Sequence, residues 1–269
     1  FAGFTPDPVV MSAVVGRLSG LDDIYRGLPG QARFRAFASM IIQPTYRRLG
    51  WEKKPGESDN DGLLRAATLA ALGDFGDPAV TAEARRRFAA FLADPTSLDA
   101  ATRRTVLEIV AVRADAATWD QIHALAKAAK TQLERREDYT LLGLAEDPAL
   151  ARRALDLSLS GEPEVTTAPG VIAAVSERHP EMAFDFTVAH WDLASKFFEP
   201  TTIAGAVPRL LLNATDPALI PRLDAFAQAH TPAGARQDVL KTDATIRYLA
   251  RIRAERLPEV DAWLAANMK

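Results

Sequence analysis

Asp followed by Pro and then a small or aliphatic residue recurs four times along the chain. The sites are Asp7-Pro8-Val9, Asp77-Pro78-Ala79, Asp147-Pro148-Ala149 and Asp216-Pro217-Ala218, at intervals of 70, 70 and 69 residues. Each pair encodes a helix start. The Asp carboxylate can accept from the first free backbone N–H groups, and Pro at the first helical position sacrifices no hydrogen bond. Helix-period residues follow, as in Ala84, Phe88, Phe91 and Leu92, or Leu150, Ala154, Leu155 and Leu159. A chain punctuated at near-equal intervals is read first as a helical repeat.

Further helices are expected between these markers. Thr102–Val112 carries Val106, Ile109 and Val110, and Trp119–Ala129 carries Trp119, Ile122, Leu125 and Ala126. The stretches Ala32–Arg48, Pro169–Glu177, Glu181–Ser195 and Ala233–Glu255 read the same way. Breaks are expected at Leu28-Pro29-Gly30, Lys54-Pro55-Gly56, Asp94-Pro95, Glu162-Pro163, His179-Pro180, Glu199-Pro200 and Thr231-Pro232. No alternating strand pattern occurs. A period near 70 holds about two helix pairs, since HEAT-type repeats run about 40 residues each. Pairs that cannot bury their apolar faces alone stack on neighbours into a curved solenoid. With no long flexible linker, the expectation is one continuous all-α domain over residues 1–269.

Composition limits the partners. The net charge is −3 and the pI about 5.9, so no general nucleic-acid or anionic-membrane surface is expected. No run of about 18 apolar residues is present to cross a bilayer. The complete lack of cysteine removes disulfide and thiolate chemistry. It fits a cytoplasmic protein, the compartment expected here, although a periplasmic protein can also do without cysteine. The chain opens at Phe1 without a basic-then-apolar leader, and a start at Phe leads to the expectation that something upstream has been removed. Abundant Ala and a preference for Arg over Lys suit a bacterium with GC-rich DNA, an inference about codons alone.

The motifs of chemistry are missing. The four histidines, His123, His179, His190 and His230, include no pair at helical ligand spacing, so H-E-x-x-H is absent. His190 beside Trp191 reads as structural and His179-Pro180 as a helix stop and restart. Gly27-Leu28-Pro29-Gly30 lacks the Lys-Ser/Thr of a phosphate loop, and no Gly-x-Ser-x-Gly elbow exists. Glu134, Glu137 and Asp138 with Arg135 and Arg136 read as a solvated helix face. The Asn213-Ala214-Thr215 triplet reads as coincidence. Arginine clusters remain: Arg85-Arg86-Arg87, Arg152-Arg153, and Arg247, Arg251 and Arg253. Arg247 and Arg251, at i and i+4, share a helix face on which guanidinium groups could grip a carboxylate with two parallel hydrogen bonds.

An ordered series of segments carries a resemblance. It begins with Leu49-Gly50-Trp51, Glu57-Ser58 and Leu63-Leu64-Arg65, then Ala82–Phe88 with Phe91, Thr118-Trp119, and Leu141–Leu144 before Asp147-Pro148. It continues through Met182-Ala183-Phe184-Asp185-Phe186, Ala189-His190-Trp191-Asp192, and Ile246 to Trp263-Leu264. In order and spacing this resembles the C-terminal helical domain of the gluzincin zinc aminopeptidases, the aminopeptidase N and puromycin-sensitive group, across nearly the whole chain. The resemblance implies HEAT- or armadillo-like helices in a curved bowl that closes a chamber over a catalytic domain. It implies as partners that catalytic domain and the distal part of a peptide substrate. The family's zinc motif and its Gly-Ala-Met-Glu-Asn segment are absent, so no catalytic or metal-binding residue carries over. Zinc is expected only in the missing catalytic domain, with no cofactor and no activity in this chain alone. Arg65 matches a recurrent Leu-Arg of the family and joins Arg247 and Arg251 as a substrate-contact candidate, although it serves helix packing equally well.

A stand-alone helical-repeat scaffold that binds a protein or peptide is the alternative, since the repeat supports it as readily. A self-contained helical hydrolase or lyase is the weakest reading.

Overall fold

The structure is a computed structural model that describes residues 7–197 and 202–268. All regular structure among these residues is helical. In chain order the helices are α1 (Pro8–Tyr25), α2 (Gln31–Leu49), α3 (Asp59–Phe75), α4 (Pro78–Ala93) and α5 (Ala100–Val112). They continue with α6 (Ala116–Ala128), α7 (Gln132–Leu141), α8 (Pro148–Ser158), α9 (Ala168–Arg178) and α10 (Pro180–Ala189). The last are α11 (Trp191–Ala194), α12 (Ile203–Arg209), α13 (Ile220–His230), α14 (Gln237–Arg251) and α15 (Leu257–Asn267). The expectation of an all-α fold is met.

All four Asp-Pro pairs are caps. Asp7 accepts from the Val9 and Val10 N–H groups, Asp77 from Val80, Asp147 from Ala149 and Asp216 from Ala218, at 2.7 to 3.1 Å. The fourth opens a 3-10 turn, Pro217–Leu219, that runs into α13. The intervals hold unequal contents, however. Three long helices lie between the first two caps and four between the second and third. A cap followed by Pro encodes where a helix begins and is blind to how many helices follow it.

The chain divides into two compact units. One takes the chain up to Val110 together with the stretch from Leu257; the other is Ala111–Arg256. In the first, α1 and α2 pack on α3 and on each other, and α15 returns from the far end of the sequence onto α2. Its core includes Phe34, Ile42, Leu49, Leu64 and Leu72. Tyr25 donates to Asp261 of α15 at 3.1 Å, and burial followed by that hydrogen bond pushes its phenol well above the usual range.

In the second unit α6 pairs with α7, α8 with α9, α9 with α10, and α14 with both α12 and α13. Trp119, Ile122, Leu142, Leu155, Ile172 and Phe184 fill its core, with the Trp119 indole donating to the Leu142 carbonyl at 3.2 Å. Gly143 lets the turn after α7 lie directly on α9. A Cβ there would sit 2.7 Å from the Val171 oxygen and 2.8 Å from the Ala174 methyl.

Two expected helices are interrupted. Glu181–Ser195 breaks at His190, with φ −112° and ψ 30°, where the ring Nδ1–H donates to the Phe186 carbonyl at 2.9 Å. The Phe186 carbonyl also accepts the His190 backbone N–H at 3.1 Å, and Trp191 beyond the break packs on Phe226 and His230. Ala233–Glu255 begins as a 3-10 turn, becomes α14, and widens into a π turn over Ile252–Arg256 before α15. Pro258 has no N–H for the carbonyl four residues earlier, which favours the slackened turn. The break expected at Glu199-Pro200 lies outside the described residues.

Candidate functional site

The three arginine candidates fall in different settings. Arg65 lies in the first unit, on α3, and is 8% exposed. Its position is made by the corner after α2. Gly50 ends that helix with φ 62°, in the left-handed region that favours glycine, and Trp51 folds back beneath Arg87, whose guanidinium lies 4.8 Å from the indole centre. Ser58 and Asp61 then form a reciprocal capping box that starts α3. Arg65 pairs with Glu57 and reaches the Leu49 carbonyl at 3.5 Å. Hydrogen bonding to Arg65 holds the Glu57 carboxyl below the usual range. The segments Leu49-Gly50-Trp51, Glu57-Ser58 and Leu63-Leu64-Arg65 thus meet in one corner, and Arg65 is committed to holding it.

Arg247 and Arg251 lie in the second unit, on α14, one turn apart and both exposed. Val239, Thr242 and Ile246 bury the opposite side of this helix. Arg247 Nε donates to Asp243 at 2.7 Å. Arg251 forms no ion pair with a described residue. On the same face stand Leu240, Ala244 and Tyr248, with Leu240 62% and Tyr248 54% exposed. Leu240, Ala244 and Tyr248 repeat at four residues in register with Arg247 and Arg251, a spacing legible in the sequence but masked by attention to charge. The face combines two guanidinium groups with a phenol and an aliphatic side chain. It can bind a carboxylate and an adjacent apolar side chain together.

The other arginine clusters are engaged. Glu83 accepts from Arg86 at 2.7 Å and Arg87 at 2.8 Å, and these bonds, led by the one from Arg86, lower its carboxyl to about 2. Arg152 pairs with Asp156 and lies over Phe186; Arg153 pairs with Asp120 and lies 4.0 Å over Trp119. Arg253 donates to Thr215.

The histidines are tied to the fold. His123 donates to Glu162, whose carboxylate also accepts from Tyr139 at 2.9 Å. Burial opposes the Glu162 charge, yet the bonds from His123 and Tyr139 outweigh it and keep the carboxyl below its ordinary value. Burial and the bond to Glu162 push Tyr139 up to about 12. His179 donates to the Ala145 carbonyl at 3.0 Å, and His230 lies against Trp191 and Phe226. Among the described residues no group of three or more His, Asp and Glu is placed to hold a metal ion. No helix of the described residues is long and apolar enough to cross a membrane.

Residues 2–248 match the family described as the ERAP1-like C-terminal domain. Aminopeptidase M1 of Arabidopsis thaliana is 33% identical over 157 residues, covering 56% of this chain and 18% of its own length. Aminopeptidase M1-A of Oryza sativa subsp. japonica is 24% identical over 228 residues, covering 82% of this chain and 26% of its own length. The chain therefore spans about a quarter or less of the length of these curated relatives. Both are plant proteins, and they lend no support to a bacterial origin.

Proposed function

The chain belongs to the ERAP1-like C-terminal domain family, and from that membership we propose that it is the non-catalytic C-terminal domain of a zinc-dependent aminopeptidase. Family membership over residues 2–248 is the observation that carries this reading. Zinc would be held by another part of the larger protein. This domain would close the chamber over the active site and meet the part of the peptide distant from the cleaved bond. Arg247 and Arg251 are the contact candidates best placed for that role, because they are exposed and share a face with Tyr248 and Leu240. Arg65, buried against Glu57, is better explained by packing.

The test is to express the complete gene product and measure hydrolysis of an aminoacyl amide and of a ten-residue peptide. Zinc-dependent cleavage by the full product and none by this chain alone is the expected result. Replacing both Arg247 and Arg251 by Ala should raise KM for the peptide about tenfold, the scale of one charge-assisted hydrogen bond. KM for the aminoacyl amide should stay as it was. A gene product without zinc-dependent peptidase activity would overturn the reading and favour a stand-alone peptide-binding scaffold.

A further inference from the structure

Helix α2 carries four arginines, and they divide sharply. Arg35 holds the buried Asp22 at 2.8 Å, and Arg48 holds Asp61 at 2.8 Å. Arg33 and Arg47 are exposed and form no ion pair with a described residue. They lie fourteen residues apart on one line of the helix, with Phe37, Met40 and Pro44 between them at steps of three and four. At 1.5 Å per residue the two guanidinium groups bracket about 21 Å of surface. Trp263 of α15 extends this stripe sideways. Its ring meets Phe37 edge-on at 5.7 Å while the residue stays 53% exposed. Met40 is 56% exposed.

This composition is poorly suited to water. A solvent-facing stripe of a helix is normally polar, and clustered Met, Phe and Trp on a surface mark a place of contact. Pro44 offers no N–H to the Met40 carbonyl, so the helix lacks that one backbone bond. The stripe therefore presents an apolar centre with a cation at either end. Asp261 of α15 accepts from Tyr25 and pairs with neither arginine.

We propose that this stripe of α2, with Trp263, is the surface on which the domain docks against the rest of its larger polypeptide. The segment seated there has an apolar centre and acidic residues toward both ends. Charge complementarity to Arg33 and Arg47 sets its chemistry. Relatives about three times as long as this chain supply its source. The inference rests on the proposed reading of the chain as one domain of a longer enzyme.

Hydroxyl-radical footprinting tests it, because Met and Trp are the side chains such radicals oxidise fastest. The complete gene product and the isolated chain are compared at the same low concentration. Met40 and Trp263 should react rapidly in the isolated chain and several-fold more slowly in the complete product. Met11 and Trp119, both buried, should react slowly in each. The double variant Arg33→Glu/Arg47→Glu should restore rapid oxidation of Met40 and Trp263 in the complete product. Its circular dichroism should match that of the unaltered protein.

Equal reactivity of Met40 and Trp263 in the two proteins would overturn the docking surface even if the complete product is a zinc aminopeptidase. Protection that survives the charge reversal would overturn the acidic partner. Protection in the isolated chain that grows with its concentration would point to a second copy and overturn it too. A gene that encodes nothing beyond this chain would overturn both this inference and the proposed function.

Discussion

Arg65 shows how much one side chain's role depends on its surroundings. Its neighbours in sequence mark it as a recurrent Leu-Arg, and the corner built by Gly50, Trp51 and Glu57 buries it. Arg65→Ala would leave Glu57 and the Leu49 carbonyl without their donor, so the urea midpoint should fall clearly. Arg247→Ala, on an exposed face, should change stability by less than about 0.5 kcal/mol. A midpoint for Arg65→Ala equal to that of Arg247→Ala would remove the packing role. Glu83 makes a second residue-scale prediction. Its bonds to Arg86 and Arg87 lower its carboxyl from 4.5 to about 2, so it adds stability above pH 4.5 that fades as pH falls toward 2. Glu83→Gln should therefore be less stable than the unaltered chain at pH 7, with the gap shrinking between pH 4.5 and 2. Thermal melts across that range measure it, and a gap that does not change with pH would sink the attribution.

The helices themselves were largely legible. Asp-Pro caps and 3.6-residue periodicity located starts such as Pro8, Pro78 and Pro148 because capping is local chemistry, complete within a few residues. The breaks were less so. Nothing at His190 announces itself as a stop, and the interruption accompanies the docking of Trp191 on Phe226. Close approach between elements is also invisible locally. Gly143 could have been any turn glycine, and only the proximity of α9 makes its missing Cβ matter. Gly143→Ala should destabilise the chain by about 1–3 kcal/mol, the usual effect of forcing volume into a packed site. Chemical denaturation reads that loss directly. An unchanged midpoint would mean that α9 can shift away at no cost.

At the scale of the whole molecule, the first unit is closed by the last helix. Leu257 and Leu264 are buried, Asp261 accepts from Tyr25, and Trp263 meets Phe37. Ending the chain at Arg256 should expose the apolar side of α2 and lower the thermal midpoint, whereas removing only residues 268–269 should not. Equal midpoints for the two truncations would show that α15 adds nothing to the first unit. By itself the sequence determined the helical class, the four capped starts, the lack of a metal-binding motif and the resemblance to an aminopeptidase domain. Those follow from propensity, short-range caps and residue order, which need no knowledge of distant parts of the chain. Only the tertiary structure decided that Arg65 is locked to Glu57 while Arg247 and Arg251 stay exposed, and that Phe37 and Trp263 share a surface. A side chain's exposure and partners depend on residues brought near by packing, sometimes more than 200 positions away, as for Tyr25 and Asp261.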